Sequence, residues 1–192
     1  MSTFIIEQGT TTLAILPTNA ILVHSTNCFG ESGAGIAKAI AELLPAATKV
    51  YKEHCDSLRT GPDNWPDKAK ILGMCLLIPP QEADVKSGKK MWLADLFTSY
   101  GYGRATKKKA AKDKKADIVR QTRDALKDLR TQLESIANQT LDIGNVETPV
   151  NACYSPKFNS GSFGVRWEET ELILEEEFQS WDGKWFILAP PK

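Results

Sequence analysis

Residues 20–24, Ala20-Ile21-Leu22-Val23-His24, are apolar until the last one. This run constrains the fold more than any other. A strand with one face in water alternates apolar and polar side chains, whereas a strand without that alternation has to be covered on both faces. After it comes a glycine-rich stretch, Asn27-Cys28-Phe29-Gly30-Glu31-Ser32-Gly33-Ala34-Gly35. Ile36, Ile40, Leu43 and Leu44 then recur at helical spacing. A buried strand that turns sharply into an amphipathic helix implies a sheet with helices packed against it.

The rest of the chain repeats this alternation. Further strands are predicted at Phe4-Ile5-Ile6, at residues 71–78 (closed by Pro79-Pro80), and at residues 91–98, 149–154 and 184–189. Pro45 is expected to end the first helix and open a second over residues 46–54. Ile118, Thr122, Ala125, Leu129, Leu133 and Ile136 mark a long amphipathic helix, and Thr170, Leu172, Ile173, Leu174 and Phe178 a last one rich in glutamate. The pattern predicts an α/β fold, a three-layer α/β/α sandwich formed as a single domain over residues 1–192 and without internal repeats. Two segments read as insertions. Residues 57–67 carry Gly61, Pro62, Trp65 and Pro66 and are expected to be a loop. Residues 105–116 contain a lysine-rich stretch, expected to be solvated or disordered because like charges repel. No aromatic residues interleave those lysines to stack bases, so nucleic acid is not the expected partner.

Lys+Arg and Asp+Glu are both 24, so no net field steers the molecule to nucleic acid or membrane, and any attraction for phosphate has to be local. The four cysteines, Cys28, Cys55, Cys75 and Cys153, form no CxxC pair. They are expected to be reduced, buried thiols of a cytoplasmic or nuclear protein. The first residues lack the pattern of a signal peptide, and no apolar run approaches the ~20 residues that span a bilayer. A monomer is expected.

The turn after the second strand is the segment richest in chemical implication. Glycines let amide N–H groups approach a ligand closely, and the start of the following helix adds partial positive charge, a combination suited to a diphosphate. Two familiar phosphate loops are excluded. No lysine and hydroxyl follow the glycines, as a nucleoside-triphosphate loop requires, and Gly30, Gly33 and Gly35 do not have GxGxxG spacing. A second loop of small residues, Phe158-Asn159-Ser160-Gly161-Ser162-Phe163-Gly164, again joins a predicted strand to a helix. Two such loops suit a ligand with two phosphates between two sugars.

Three segments, VHSTNCFGESGAGIA, WLADLFTSYGYGR and FNSGSFGVRWEETELILEEE, resemble the macrodomain family, and more narrowly its fungal ADP-ribose 1''-phosphate phosphatase branch. The resemblance implies a six-stranded mixed sheet, ADP-ribose held above it, and no metal or other cofactor. It places Ser25, Thr26 and Asn27 along the distal ribose, and Ser32, Gly33, Ala34, Gly35, Ile36 and Ala37 around the diphosphate. Phe158, Asn159, Ser160, Gly161, Ser162, Phe163 and Gly164 would close the other side. Gly9, Thr10 and Thr11 fall at the family's adenine-proximal turn, where Thr10 stands in place of a common aspartate. The implied reaction converts ADP-ribose 1''-phosphate, a by-product of transfer-RNA splicing, to ADP-ribose and phosphate. Removal of ADP-ribose from proteins and non-catalytic reading of ADP-ribose use the same grip and remain open alternatives.

Such a hydrolysis needs stabilised phosphoryl oxygens and a proton route to the leaving sugar. His24 is the acid/base candidate, because imidazole titrates near neutrality and His24 directly precedes Ser25. Asp95, a carboxylate within an apolar strand, is the second. Cys28 lacks an arginine-bearing phosphate loop around it and is rejected as a nucleophile.

Overall fold

The computed structural model describes residues 5–9 and 11–189. In chain order it contains β1 (Ile5–Gln8), β2 (Ile21–Asn27), α1 (Gly35–Leu43), α2 (Pro45–Ser57), β3 (Arg59–Thr60), β4 (Trp65–Pro66), α3 (Lys68–Ile71) and β5 (Cys75–Ile78). It continues with α4 (Glu82–Lys86), β6 (Trp92–Ser99), α5 (Lys115–Ala137), β7 (Ala152–Ser155), α6 (Trp167–Phe178) and β8 (Lys184–Ile187). Phe4, assigned from the sequence to the first strand, lies outside the described residues.

Six strands form one sheet in the order β1-β8-β7-β2-β6-β5. All neighbours are parallel except β5, which runs antiparallel to β6. The sheet is therefore mixed. Ile21, Val23, Ala94 and Leu96 face Leu126 and Leu129 of α5 and Leu174 and Phe178 of α6. Leu22, Leu93 and Phe97 face the opposite way, toward Ile40, Leu44 and Tyr51 around α1 and α2. Burial on both faces is why β2 and β6 carry so little polar alternation, and the result is a three-layer α/β/α sandwich.

Three segments differ from the sequence reading. Residues 71–78 do not form one strand. Ile71 ends α3, Gly73 takes a φ of +76° beside Asp124, and the strand starts only at Cys75. Residues 57–67 are more than a loop, because β3 and β4 pair there as a small antiparallel hairpin, with Gly61 and Asn64 at positive φ in its turn. The lysine-rich segment is ordered rather than detached. Ala110 packs against the core and Asp113 anchors the segment, accepting from the Tyr100 amide at 2.8 Å while the Asp113 amide donates to Ser99 Oγ at 3.0 Å. A methyl group on Gly101 would sit 2.1 Å from the Ala110 carbonyl oxygen, so the segment crosses directly over that glycine. Uncharged residues interleaved with the lysines supply the packing that a pure charge block lacks.

Candidate functional site

β2 and β7 are parallel neighbours, so the loops that leave their carboxyl ends rise from the same edge of the sheet. This is where open α/β sheets bind ligands. The Asn159 amide donates to Ser25 Oγ at 3.2 Å, tying the base of the second loop to β2. Thr26 Oγ1 donates to the Leu96 carbonyl. Asn27 braces the first loop from within: its Oδ1 accepts from the Phe29 amide at 2.9 Å and its Nδ2 donates to the Glu31 carbonyl at 2.9 Å. Tyr51 Oη then donates to the Asn27 carbonyl at 2.7 Å. The Ser25, Thr26 and Asn27 side chains thus shape the rim, and the surface they support is backbone.

That surface is open at the glycines. A Cβ on Gly33, Gly35 or Gly161 would meet no atom within 4 Å. Gly35 adopts φ +55°, a conformation that favours glycine, and the N-cap Ala34 offers α1 no side-chain hydrogen bond. The first-turn amides of α1 therefore keep their donors for an incoming anion. α6 is uncapped in the same way at Arg166.

Within the second loop the expected contacts divide. Phe158 packs edge-on to Trp167, with ring centroids 5.7 Å apart. Asn159 is fixed through both ends of its amide: Thr98 Oγ1 donates to it and it donates to Thr122 Oγ1, each at 2.8 Å. Phe163 is buried with Ile118 and Val165. The side chains of Phe158, Asn159 and Phe163 therefore anchor the loop in the core. Ser160, Gly161 and Ser162 form its exposed tip. At the β1 turn, the Gly9 amide donates to the Ile187 carbonyl and the Thr11 carbonyl accepts from the Ala189 amide, extending the β1–β8 pairing. Thr10 lies outside the described residues.

His24 and Asp95 sit opposite each other on β2 and β6. Nε2 of His24 is 2.6 Å from Oδ1 of Asp95, and the residues are 3% and 1% exposed. Strand alternation turns them to the same face as Leu22, Leu93 and Phe97, under α1 and α2. The structure brings the two acid/base candidates together in the sheet–helix layer. Burial pushes the Cys28 thiol well above its usual range, which suits packing rather than attack.

Sequence reasoning missed a cavity of about 500 Å³ between the two insertions. Its walls include Phe29 and Glu31 of the first loop, Arg59 and Asp63 of the hairpin, and Tyr102 with Lys107, Lys108 and Lys109. The signal lay in the two insertions themselves, one read as a loop and the other as a solvated or disordered stretch. Their meeting is long-range and leaves no trace in local spacing. Among the described residues no group of His, Cys, Asp and Glu is arranged to hold a metal ion, and no helix is long and apolar enough to cross a membrane.

The chain is similar to curated proteins named ADP-ribose 1''-phosphate phosphatase. That of Aspergillus fumigatus is 37% identical over 176 residues, covering 83% of this chain and 84% of the relative. That of Debaryomyces hansenii is 36% identical over 160 residues, covering 82% of each. Among solved structures, the macrodomain of Mycobacterium tuberculosis DarG superimposes with a TM-score of 0.64 at 20% identity, covering 98% of this chain and 99% of its own. Thermosipho africanus DarTG in complex with ADP-ribose gives a TM-score of 0.55 at 14% identity, over 88% of this chain and 38% of that one. These structures share the fold. No protein-family model matches the chain.

Proposed function

The chain belongs to the ADP-ribose 1''-phosphate phosphatase family, and from that premise we propose that it hydrolyses ADP-ribose 1''-phosphate to ADP-ribose and inorganic phosphate. The observation that carries the proposal is the pair of loops on adjacent parallel strands, whose uncapped helix starts and open glycines Gly33, Gly35 and Gly161 present backbone donors at one edge. Donors fixed in advance grip a diphosphate without the cost of ordering side chains. In the reaction, a water oxygen bonds to phosphorus, the bond from phosphorus to the 1'' oxygen breaks, and that oxygen takes up a proton. Amides aimed at the phosphoryl oxygens stabilise the charge that builds there.

The test is phosphate release by purified protein from ADP-ribose 1''-phosphate, with p-nitrophenyl phosphate and an ADP-ribosylated protein as comparison substrates. Selective release from ADP-ribose 1''-phosphate is expected. Release of free ADP-ribose from the modified protein, with no phosphate from ADP-ribose 1''-phosphate, would replace this reading with de-ADP-ribosylation.

A further inference from the structure

We infer that the cavity between the two insertions is the subsite for the terminal phosphate of the ligand. This rests on the proposed function and adds a specificity site to it. The diphosphate loops leave β2 and β7, so a sugar extends to either side of them. Beyond β7 lie β8 and β1, whose carboxyl ends lead into Leu188, Ala189, Gly9 and Thr11, none of them charged. Beyond β2 lies β6, which runs into the lysine-rich segment. ADP-ribose 1''-phosphate has one uncharged end, the adenine, and one anionic end. Charge alone assigns the anionic end to the β6 side.

The cavity there is built for an anion. Arg59, Lys107, Lys108 and Lys109 line it against two carboxylates, Glu31 and Asp63, in a molecule of zero formal net charge. Two of the cations are held in place. Arg59 donates to Asp56 at 2.9 Å and to the Asn64 carbonyl at 3.1 Å, with its guanidinium 5.7 Å from the centre of the Phe29 ring. Lys109 Nζ donates to the Tyr102 and Arg104 carbonyls and lies 4.0 Å from the centre of the Tyr102 ring. Lys107 and Lys108 are exposed and form no ion pair among the described residues. They are free to close on a phosphate, each as a mobile point charge. Through Phe29 and Glu31 the cavity continues into the first loop. Lys112 joins the same segment to the second loop, its Nζ donating to the Ser162 carbonyl at 3.2 Å.

The experiment compares the wild type with a Lys107→Ala/Lys108→Ala double variant by calorimetry. The probes are ADP-ribose and its 1''-phosphonate, a hydrolysis-resistant stand-in for the substrate. The wild type should bind the phosphonate about tenfold more tightly than ADP-ribose, the scale of a charge-assisted contact. The double variant should lose that preference while its ADP-ribose affinity stays within about twofold, as expected when surface charges remote from a contact change. Lys107→Arg/Lys108→Arg should keep the preference. A wild type without the preference, or an alanine variant that retains it, overturns the inference. If the preference and its loss are both seen but no phosphate is ever released from ADP-ribose 1''-phosphate, the proposed reaction fails and the subsite stands.

Discussion

At the scale of single residues, the open glycines separate binding from folding. Gly33 has an ordinary φ and empty space where a side chain would go, so Gly33→Val should leave the melting temperature within about 2 °C, the size of a sub-kcal/mol change in a chain of this length. ADP-ribose affinity should fall by at least roughly tenfold as the valine occupies the ligand's place. An unchanged affinity would move the diphosphate elsewhere. Gly35 makes a poorer probe, because its positive φ strains any replacement. The His24–Asp95 contact is tested by His24→Ala, which leaves a carboxylate buried without its partner. A loss of about 3 kcal/mol is expected, or a melting temperature lower by about 10 °C, with turnover per folded molecule changed less than about tenfold. A fall of about 10²–10⁴-fold at unchanged stability would place His24 in the chemistry instead. The two loops were legible in the sequence because clusters of glycine and serine mark sharp turns between strand and helix. The roles of Asn27 and Asn159 were not, because an amide that braces a loop and one that meets a ribose are the same residue in sequence. Only their partners, Glu31 and Phe29 for one and Thr98 and Thr122 for the other, distinguish them.

At the scale of elements, α2 carries a titration. His54, in its last turn, stacks on Phe97 at 5.9 Å. Its pKa is lowered by burial, an effect partly opposed by the Asp95 carboxylate. A folded-state pKa below the unfolded one means that the unfolded chain binds the proton first as pH falls, so stability should decline on acidification through about pH 6.5. His54→Gln should flatten that part of a melting-temperature profile between pH 7.5 and 5.5, and an identical slope in the variant would assign the effect to other groups. The major elements were readable because their periodicities are strong, as in the buried stripe of α5 from Ile118 to Ile136. The exceptions have local causes. A left-handed glycine cuts β5 short at Gly73, and Asp113 with its neighbouring alanines pins a segment that its lysines made look free. The β3–β4 hairpin spans two residues per strand, too few for any alternation to register.

At the scale of the whole molecule, two apolar layers sheathe the sheet and take all four thiols out of reach. Cys28, Cys55, Cys75 and Cys153 are free and buried. Burial raises each thiol's pKa, that of Cys55 to about 12 with Asp95 and Asp56 adding to the effect. Protonated, covered thiols are poor nucleophiles, so iodoacetamide at pH 8 should label none of them in the native protein and all four after guanidinium unfolding. Labelling of the folded protein at Cys55 would mean that α2 opens readily. The strand order has a further consequence, which arises while the chain is being made. Among the described residues β1 pairs only with β8, so β1 has no neighbour in the sheet until β8 has followed it out of the ribosome. At roughly 5–20 residues per second, the gap between Gln8 and Ile187 lasts on the order of 10–40 s. Through that interval the nascent chain can assemble β2, β6 and β5 while β1 waits, an unpaired strand that a chaperone could shield.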